Sequence, residues 1–273
     1  MVVQHNMQAM NANRTLGITT DSQKKVTEKL SSGFKVNRAA DDAAGLTISE
    51  KMRSQIRGLT QASANAQDGI SCVQTAEGAL TEVHSMLQRM NELAVKSANG
   101  TNTSADRTAI QSEVTALAKE ISRVAQSTQF NTLNLLNGSF SAGKNIQVGA
   151  ANRSEQRITI SIAKMDASTL GVNSISVATE SGAQKAIASI TSAIARVSKQ
   201  RSDLGAIQNR LEHTIANLDN VVENTTAAES QIRDTDMAKT MVEYTKNNIL
   251  AQAGTSMLAQ ANQSTQNVLS LLG

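Results

Sequence analysis

The sequence predicts a mainly α protein built from long helices lying side by side, with a small β-hairpin. Three observations carry that reading. The 273 residues contain no proline and no tryptophan, and three Phe with one Tyr are the aromatics. Globular catalytic cores draw much of their buried area from aromatic rings, and prolines punctuate their loops. Apolar residues recur in sevens near both ends of the chain, the spacing of coiled-coil seams. Only 18% of residues are charged, below the usual quarter. Exposed helix faces normally carry charge, so much of this surface is expected to pack against other copies.

Steps of seven from Met52 land on Leu59, Ala66, Val73, Leu80, Leu87 and Ala94, and Ala62, Ala76, Val83 and Met90 fill much of a second seam. Asp41 and Asp42 give this helix an acidic start and Asn99-Gly100 a stop. A helix over about 43–98 would extend roughly 80 Å, too long for an ordinary globular core. A second helix is expected from an N-cap at Ser104 to about Thr128, with Ile110, Val114, Leu117, Ile121 and Val124 on one face. Beyond Phe130 the period changes. Asn137-Gly138 marks a turn, and Ile146 and Val148, then Ile158, Ile160 and Ile162, alternate with polar residues. That predicts a hairpin within about 138–163, its strands joined by Gly149–Gln156.

Residues 164–183 read as a polar link without periodicity. A third long helix follows, with Ile190, Val197, Leu204, Leu211 and Leu218 in one seam and Ile187, Ile194, Ile215 and Val222 in the other. Arg201 and Gln208 interrupt that second seam, which fixes register at a cost in stability. The last segment, from about Met237, carries Met241, Ile249, Leu250, Met257, Leu258, Val268 and Leu269, and is nearly uncharged after Lys246. The start of the chain, with Met7, Met10 and Leu16, is uncharged up to Arg14. Such helices have too little chain around them to bury themselves, so they need a partner.

Several function classes fall away. A net charge of +3 is spread along the chain, without the basic face and stacking aromatics of a nucleic-acid binder. No apolar run is long enough to span a membrane. The start, Met1 to Asn6, lacks the basic and apolar regions of a secretory signal, so export would use a route that does not read one. Cys72 stands alone, which excludes an internal disulfide and reads as a structural thiol beside Val73. His5, His84 and His213 have no metal-binding spacing, and no glycine-rich phosphate loop is present. The expectation is therefore not an enzyme, with no catalytic residue, cofactor or metal. Asn99-Gly100-Thr101 and Asn102-Thr103-Ser104 are chance sequons in a chain rich in Asn, Ser and Thr.

Leu30-Ser31-Ser32-Gly33, Asn37-Arg38-Ala39-Ala40-Asp41-Asp42-Ala43-Ala44-Gly45-Leu46, Ile48-Ser49-Glu50-Lys51-Met52-Arg53 and Gln74-Thr75-Ala76-Glu77-Gly78-Ala79-Leu80 resemble bacterial flagellin. So do Leu204-Gly205-Ala206-Ile207-Gln208-Asn209-Arg210-Leu211, Arg233-Asp234-Thr235-Asp236-Met237-Ala238 and Met257-Leu258-Ala259-Gln260-Ala261-Asn262-Gln263. The resemblance runs over nearly the whole chain. It implies a long antiparallel coiled-coil-like helical rod with the hairpin, over 41–237, plus a terminal two-helix coiled-coil domain from 1–40 and 238–273. A variable outer domain, often inserted after the hairpin in that family, has no room here, so the subunit is a minimal form. Cys72 departs from a family that generally lacks cysteine.

Under the resemblance the chain is a structural subunit that polymerises with itself into the helical filament of the bacterial flagellum, for motility. Met7, Met10, Leu16, Ile249, Leu250, Met257, Leu258, Val268 and Leu269 would serve polymerisation. The implied location is extracellular, reached by the flagellar type III route without a cleaved signal peptide, with an export chaperone and a filament cap as partners. On the long helix, Leu87, Met90 and Ala94 are read as facing the seam, and Arg89, Leu93 and Lys96 another face. In flagellins matching this motif, Arg89 and Leu93, with Glu113, correspond to contacts for vertebrate Toll-like receptor 5. A filament-junction relative of the same fold, or a secreted coiled-coil adhesin, stands as the alternative.

Overall fold

The computed structural model describes residues 6–270, with side-chain surroundings through Ser264. Its main elements are α1 (Met7–Ser32), α2 (Ala43–Ser97), α3 (Ser104–Ser127), β1 (Gln129–Phe130), β2 (Leu133–Asn134), β3 (Lys144–Gln147), β4 (Arg157–Ile160), α4 (Ala167–Leu170), α5 (Glu180–Arg233) and α6 (Met237–Ser270). They form two compact units. The central unit is Gln55–Glu223; the terminal unit takes the chain up to Ser54 and from Asn224 onward.

In the central unit the predicted heptads are the core. Ala66, Val73, Leu80, Leu87 and Ala94 of α2, and Ile190, Val197, Leu204 and Leu211 of α5, are wholly buried. A side chain such as Leu80 or Leu211, fully removed from water, contributes about 1.5–3 kcal/mol. α3 adds Ile110, Val114, Ala118, Ile121 and Ala125. Its N-cap is Thr103, one residue before the predicted Ser104. The Thr103 hydroxyl accepts from the Asp106 N–H while the Asp106 carboxylate accepts from the Thr103 N–H, a capping box that satisfies two end groups at once. The Thr103 hydroxyl, then its N–H, hold the Asp106 carboxyl below its ordinary pKa.

The second seam of α5 corrects the sequence reading. In its first half the buried line is Ala183, Ala186, Ala193 and Gln200, while Ile187, Ile194 and Arg201 are half-buried beside it. The shift is by one residue, and Gln200 explains it. Its Nε2 donates to Ser161 O and its Oε1 accepts from Ala163 N–H. A buried amide is tolerated because both of its ends are partnered.

β3 and β4 pair antiparallel, Ile146 opposite Ile158 and Lys144 opposite Ile160, the hairpin that alternation predicts. β1 and β2 form a second, smaller hairpin that no periodicity announced. Its turn residues, Asn131 and Thr132, both lie in the left-handed region. Asparagine takes that conformation readily, but β-branched threonine does so only under constraint. Residues 164–179, which lack any period, are a packed strap. Met165, Ala167, Leu170, Val172 and Val177 are buried. Gln111 ties down the far end: its Nε2 donates to Ile175 O and its Oε1 accepts from Val177 N–H.

In the terminal unit α1 and α6 lie antiparallel. Asn6 Nδ2 donates to Ala261 O, Leu16 abuts Gly254, and Phe34 bridges to Asp234. Ala12, Leu16, Thr19, Gln23, Val26 and Leu30 of α1 form one half-buried to buried row. Thr240, Tyr244, Asn247, Ala251, Gly254, Leu258 and Ala261 of α6 form another. Both rows step by three and four, the coiled-coil spacing. Small and polar residues fill most of the two rows, so they bury little apolar area.

The quoted motif before α2 has a structural cause. α1 ends at Gly33, whose N–H donates to Lys29 O and whose positive φ of 75° turns the chain out of the helix. The Asp41 carboxylate then accepts from the N–H groups of Asn37 and Arg38. Those bonds, that of Arg38 foremost, draw its pKa below the usual carboxylate value. Asp42 caps α2 by accepting from Gly45 N–H at 2.9 Å. A Cβ at position 45 would overlap the Asp42 carboxylate and displace it from this cap. Arg233 closes the unit: it stacks 4.6 Å over the Phe34 ring and pairs with Glu50 at 2.9 Å.

Candidate functional site

The feature that calls for a function is apolar surface on the terminal unit. Met7, Met10 and Ile18 of α1 are exposed, as are Met237, Met241, Val242, Ile249, Leu250 and Met257 of α6. Met7 and Val242 each keep 70% of their surface. The outward stripe on α6 is continuous. Ala238, Met241, Val242, Thr245 and Ile249, at helical spacing, line one shallow apolar depression. The rows that pair α1 with α6 occupy a different face, so this stripe has no partner within the described residues.

The sequence-predicted assembly residues therefore divide. Met7, Met10, Ile249, Leu250 and Met257 stand exposed. Leu16 and Leu258 are half-buried on the rows where α1 and α6 meet. Val268 and Leu269 lie outside the residues whose side chains are described. Ile18 and Val242 are exposed in the same way and were not singled out. The signal was available in spacing, since Val242 stands seven residues before Ile249.

A second surface lies on the central unit. The Arg89 guanidinium contacts Glu113 of α3 at 3.0 Å and Glu92 at 3.1 Å. The hydrogen bond to Glu113, then that to Glu92, raise the Arg89 pKa above its ordinary value. The structure thus brings Arg89 and Glu113 together across α2 and α3. Leu93 is corrected: instead of standing on the open face it is 3% exposed and belongs to the same buried cluster as Ile110 and Val114. α3 supplies the cover that a single-helix reading of α2 lacks.

The remaining reactive groups are structural in their surroundings. Cys72 is a buried free thiol, and burial raises its pKa. His84 is half-buried, with its Nε2 3.1 Å from the Gln88 amide. Among the described residues no three His, Cys, Asp or Glu side chains gather to hold a metal, and no helix is long and apolar enough to cross a membrane.

Comparison with known proteins agrees along the whole chain. The family model for the bacterial flagellin N-terminal helical region matches residues 3–141, and that for the C-terminal helical region matches 187–272. A flagellin from Halalkalibacterium halodurans is 54% identical, and the flagellar filament 31.3 kDa core protein of Treponema maltophilum 53% identical, each covering 100% of both chains. The crystal structure of Bacillus cereus flagellin superposes with a TM-score of 0.50 at 27% identity, covering 57% of this chain and 88% of that one.

Proposed function

The chain belongs to the bacterial flagellin family, a family of structural subunits and not of enzymes, and we propose that its unpartnered terminal apolar surface is what joins copies into the flagellar filament. One observation carries this reading: exposed large hydrophobics gather on α1 and α6, in a chain with no charged side chain before Arg14 and none after Lys246. Their own pairing is thin. Among the described side chains only Val26 on α1, and Thr240 and Ala261 on α6, are buried, and none of them completely. Neighbouring copies would supply the missing burial, so these helices gain most of their order on assembly. In this reading residues 1–40 and 238–273 form the inner assembly domain and 41–237 the outer one. Location in the external filament, delivery by the flagellar export route, and handling by an export chaperone and a filament cap follow from the same reading.

The test is removal of residues 250–273. The truncated chain should stay soluble, keep the helical signal of its central unit and form no filament when seeded. Filaments of normal appearance would overturn the assignment. Recovery of the full-length chain as the bulk of a sheared-filament preparation separates a main subunit from a low-copy junction relative or an adhesin.

Recognition of the monomer by vertebrate Toll-like receptor 5 is the finer part of the reading. Its support is the exposed Arg89–Glu113 pair on adjoining helices, a planar charged fork of the kind enriched in interface hot spots. Leu93, being buried, acts there by holding the surface from beneath. Arg89→Ala should weaken binding of the monomer to the receptor ectodomain about tenfold in surface plasmon resonance, with helix content unchanged. Equal binding by both proteins would remove the receptor from the proposal.

A further inference from the structure

The chain contains two Asn–Gly pairs, Asn99–Gly100 and Asn137–Gly138. Their chemistry is shared and their surroundings are opposite. Glycine has no Cβ to shield its main-chain nitrogen or restrict its approach. That nitrogen can therefore attack the side-chain amide carbon of the preceding asparagine wherever both groups are free to move.

Asn99 sits in the turn between α2 and α3, and both it and Gly100 are exposed. The hold on its side chain is one long bond, Thr101 N–H donating to Oδ1 at 3.3 Å. No bond to the Gly100 N–H is seen among the described residues. Asn137 is half-buried, and its Oδ1 accepts from both the N–H and the hydroxyl of Ser139, at 2.9 and 2.7 Å. Its loop is tied on both sides, Met165 N–H donating to Leu136 O and Ser141 N–H to Gly138 O. Gly138 is also fixed at φ +100°, against the Lys164 side chain.

We propose that Asn99 is a site of spontaneous deamidation and isoaspartate formation, and that the fold protects Asn137 from the same reaction. Hydroxide removes the Gly100 amide proton and the nitrogen attacks Asn99 Cγ. The N–Cγ bond forms, the Cγ–Nδ2 bond breaks, and ammonia departs, leaving a five-membered imide. Water then opens the imide at either carbonyl. One product is aspartate; the other is isoaspartate, in which the main chain runs through the former side chain and is one methylene longer.

Both products bear on the α2–α3 turn. The new carboxylate stands two residues past the end of α2, where the negative end of the helix dipole disfavours it. The isoaspartyl form also displaces the Asn99 carbonyl, which accepts from the nearly buried Arg107 at 3.1 Å. Deamidation thus alters the turn that sets α3 against α2.

The test is incubation of the full-length protein at mildly alkaline pH, with tryptic peptides 97–107 and 124–144 followed by tandem mass spectrometry. Isoaspartate is labelled with protein isoaspartyl methyltransferase. In the folded protein Asn99 should convert at least about tenfold faster than Asn137, the factor expected from two side-chain hydrogen bonds. In urea the two rates should converge. Gly100→Ala, whose Cβ meets nothing within 4 Å, should keep the fold and suppress the reaction at Asn99. Ser139→Ala should accelerate it at Asn137. Equal rates in the folded protein, or an unchanged Asn137 rate in the Ser139 variant, would overturn the proposal.

Discussion

The central unit hides its large hydrophobic side chains and the terminal unit displays them. Of the twelve that stand exposed among the described residues, only Val95 and Leu133 belong to Gln55–Glu223. Both units use the same device, helices paired along seams stepping by three and four. The difference lies in what fills the seam. Val73, Leu80, Leu87 and Met90 fill it in the central unit; Thr240, Asn247, Ala251 and Gly254 fill it on α6. A heptad spacing therefore says where two helices meet, and the size of its residues says whether that meeting suffices. Met237, Met241, Val242, Ile249, Leu250 and Met257 of α6 stand outside its seam, exposed among the described residues.

The comparison breaks if the central seams are not the source of stability, and this carries the largest expected effect. Leu80→Ala and Leu211→Ala each remove a wholly buried side chain. Each should cost about 2–5 kcal/mol, read as a lower thermal midpoint by circular dichroism. An unchanged midpoint in both variants would mean that these seams do not bear the fold.

A smaller effect tests the strap. Burial raises the Asp166 pKa, but the hydrogen bonds from Thr169 and the Lys164 ammonium at 2.9 Å outweigh it and hold the carboxyl at about 2, from an ordinary 3.8. A folded-state pKa below the unfolded one contributes stability that is present above about pH 4 and lost as pH falls toward 2. Asp166→Asn keeps an acceptor for the Thr169 N–H but cannot ionise. It should cost about 1–2 kcal/mol at pH 7, with the difference closing between pH 4 and 2. A cost independent of pH would show that the side chain matters there for its shape alone.

The elements legible in the sequence were those where one period ran uninterrupted. α2, α3, α5 and the β3–β4 hairpin follow from repeats of seven or two, because long uniform elements bury one side at regular intervals. The β1–β2 hairpin was illegible because Thr132 takes a left-handed conformation that its side chain disfavours. The strap was illegible because its far end is held by Gln111, distant in sequence and polar, whose hydrogen bonds no pattern encodes. Leu93 was misplaced for a related reason. One helix viewed alone has a seam and an outside, but a second neighbour, α3, turns part of that outside into core. The exposed apolar surface of the terminal unit was legible in kind, from apolar residues in stretches with few charges. Its split into paired rows and an outward stripe needed the antiparallel register of α1 and α6.

The sharpest form of the comparison is a substitution expected to leave the fold nearly untouched. Ile249 lies on the outward stripe of α6 and keeps 61% of its surface. Glutamine favours helix slightly more than isoleucine does, and an exposed residue has few contacts to lose. Ile249→Gln should therefore shift folding stability by no more than about 0.5 kcal/mol. In the assembled filament the same position would be covered, so the amide would be buried without a designed partner in every subunit contact. Such a group costs about 1–3 kcal/mol, and the penalty recurs at each copy added. Seeded polymerisation followed by light scattering should show elongation slowed or abolished at the wild-type critical concentration, while the melting curve overlays that of the wild type. A lowered midpoint would make Ile249 part of the fold, and unimpaired elongation would place the stripe outside the subunit interface.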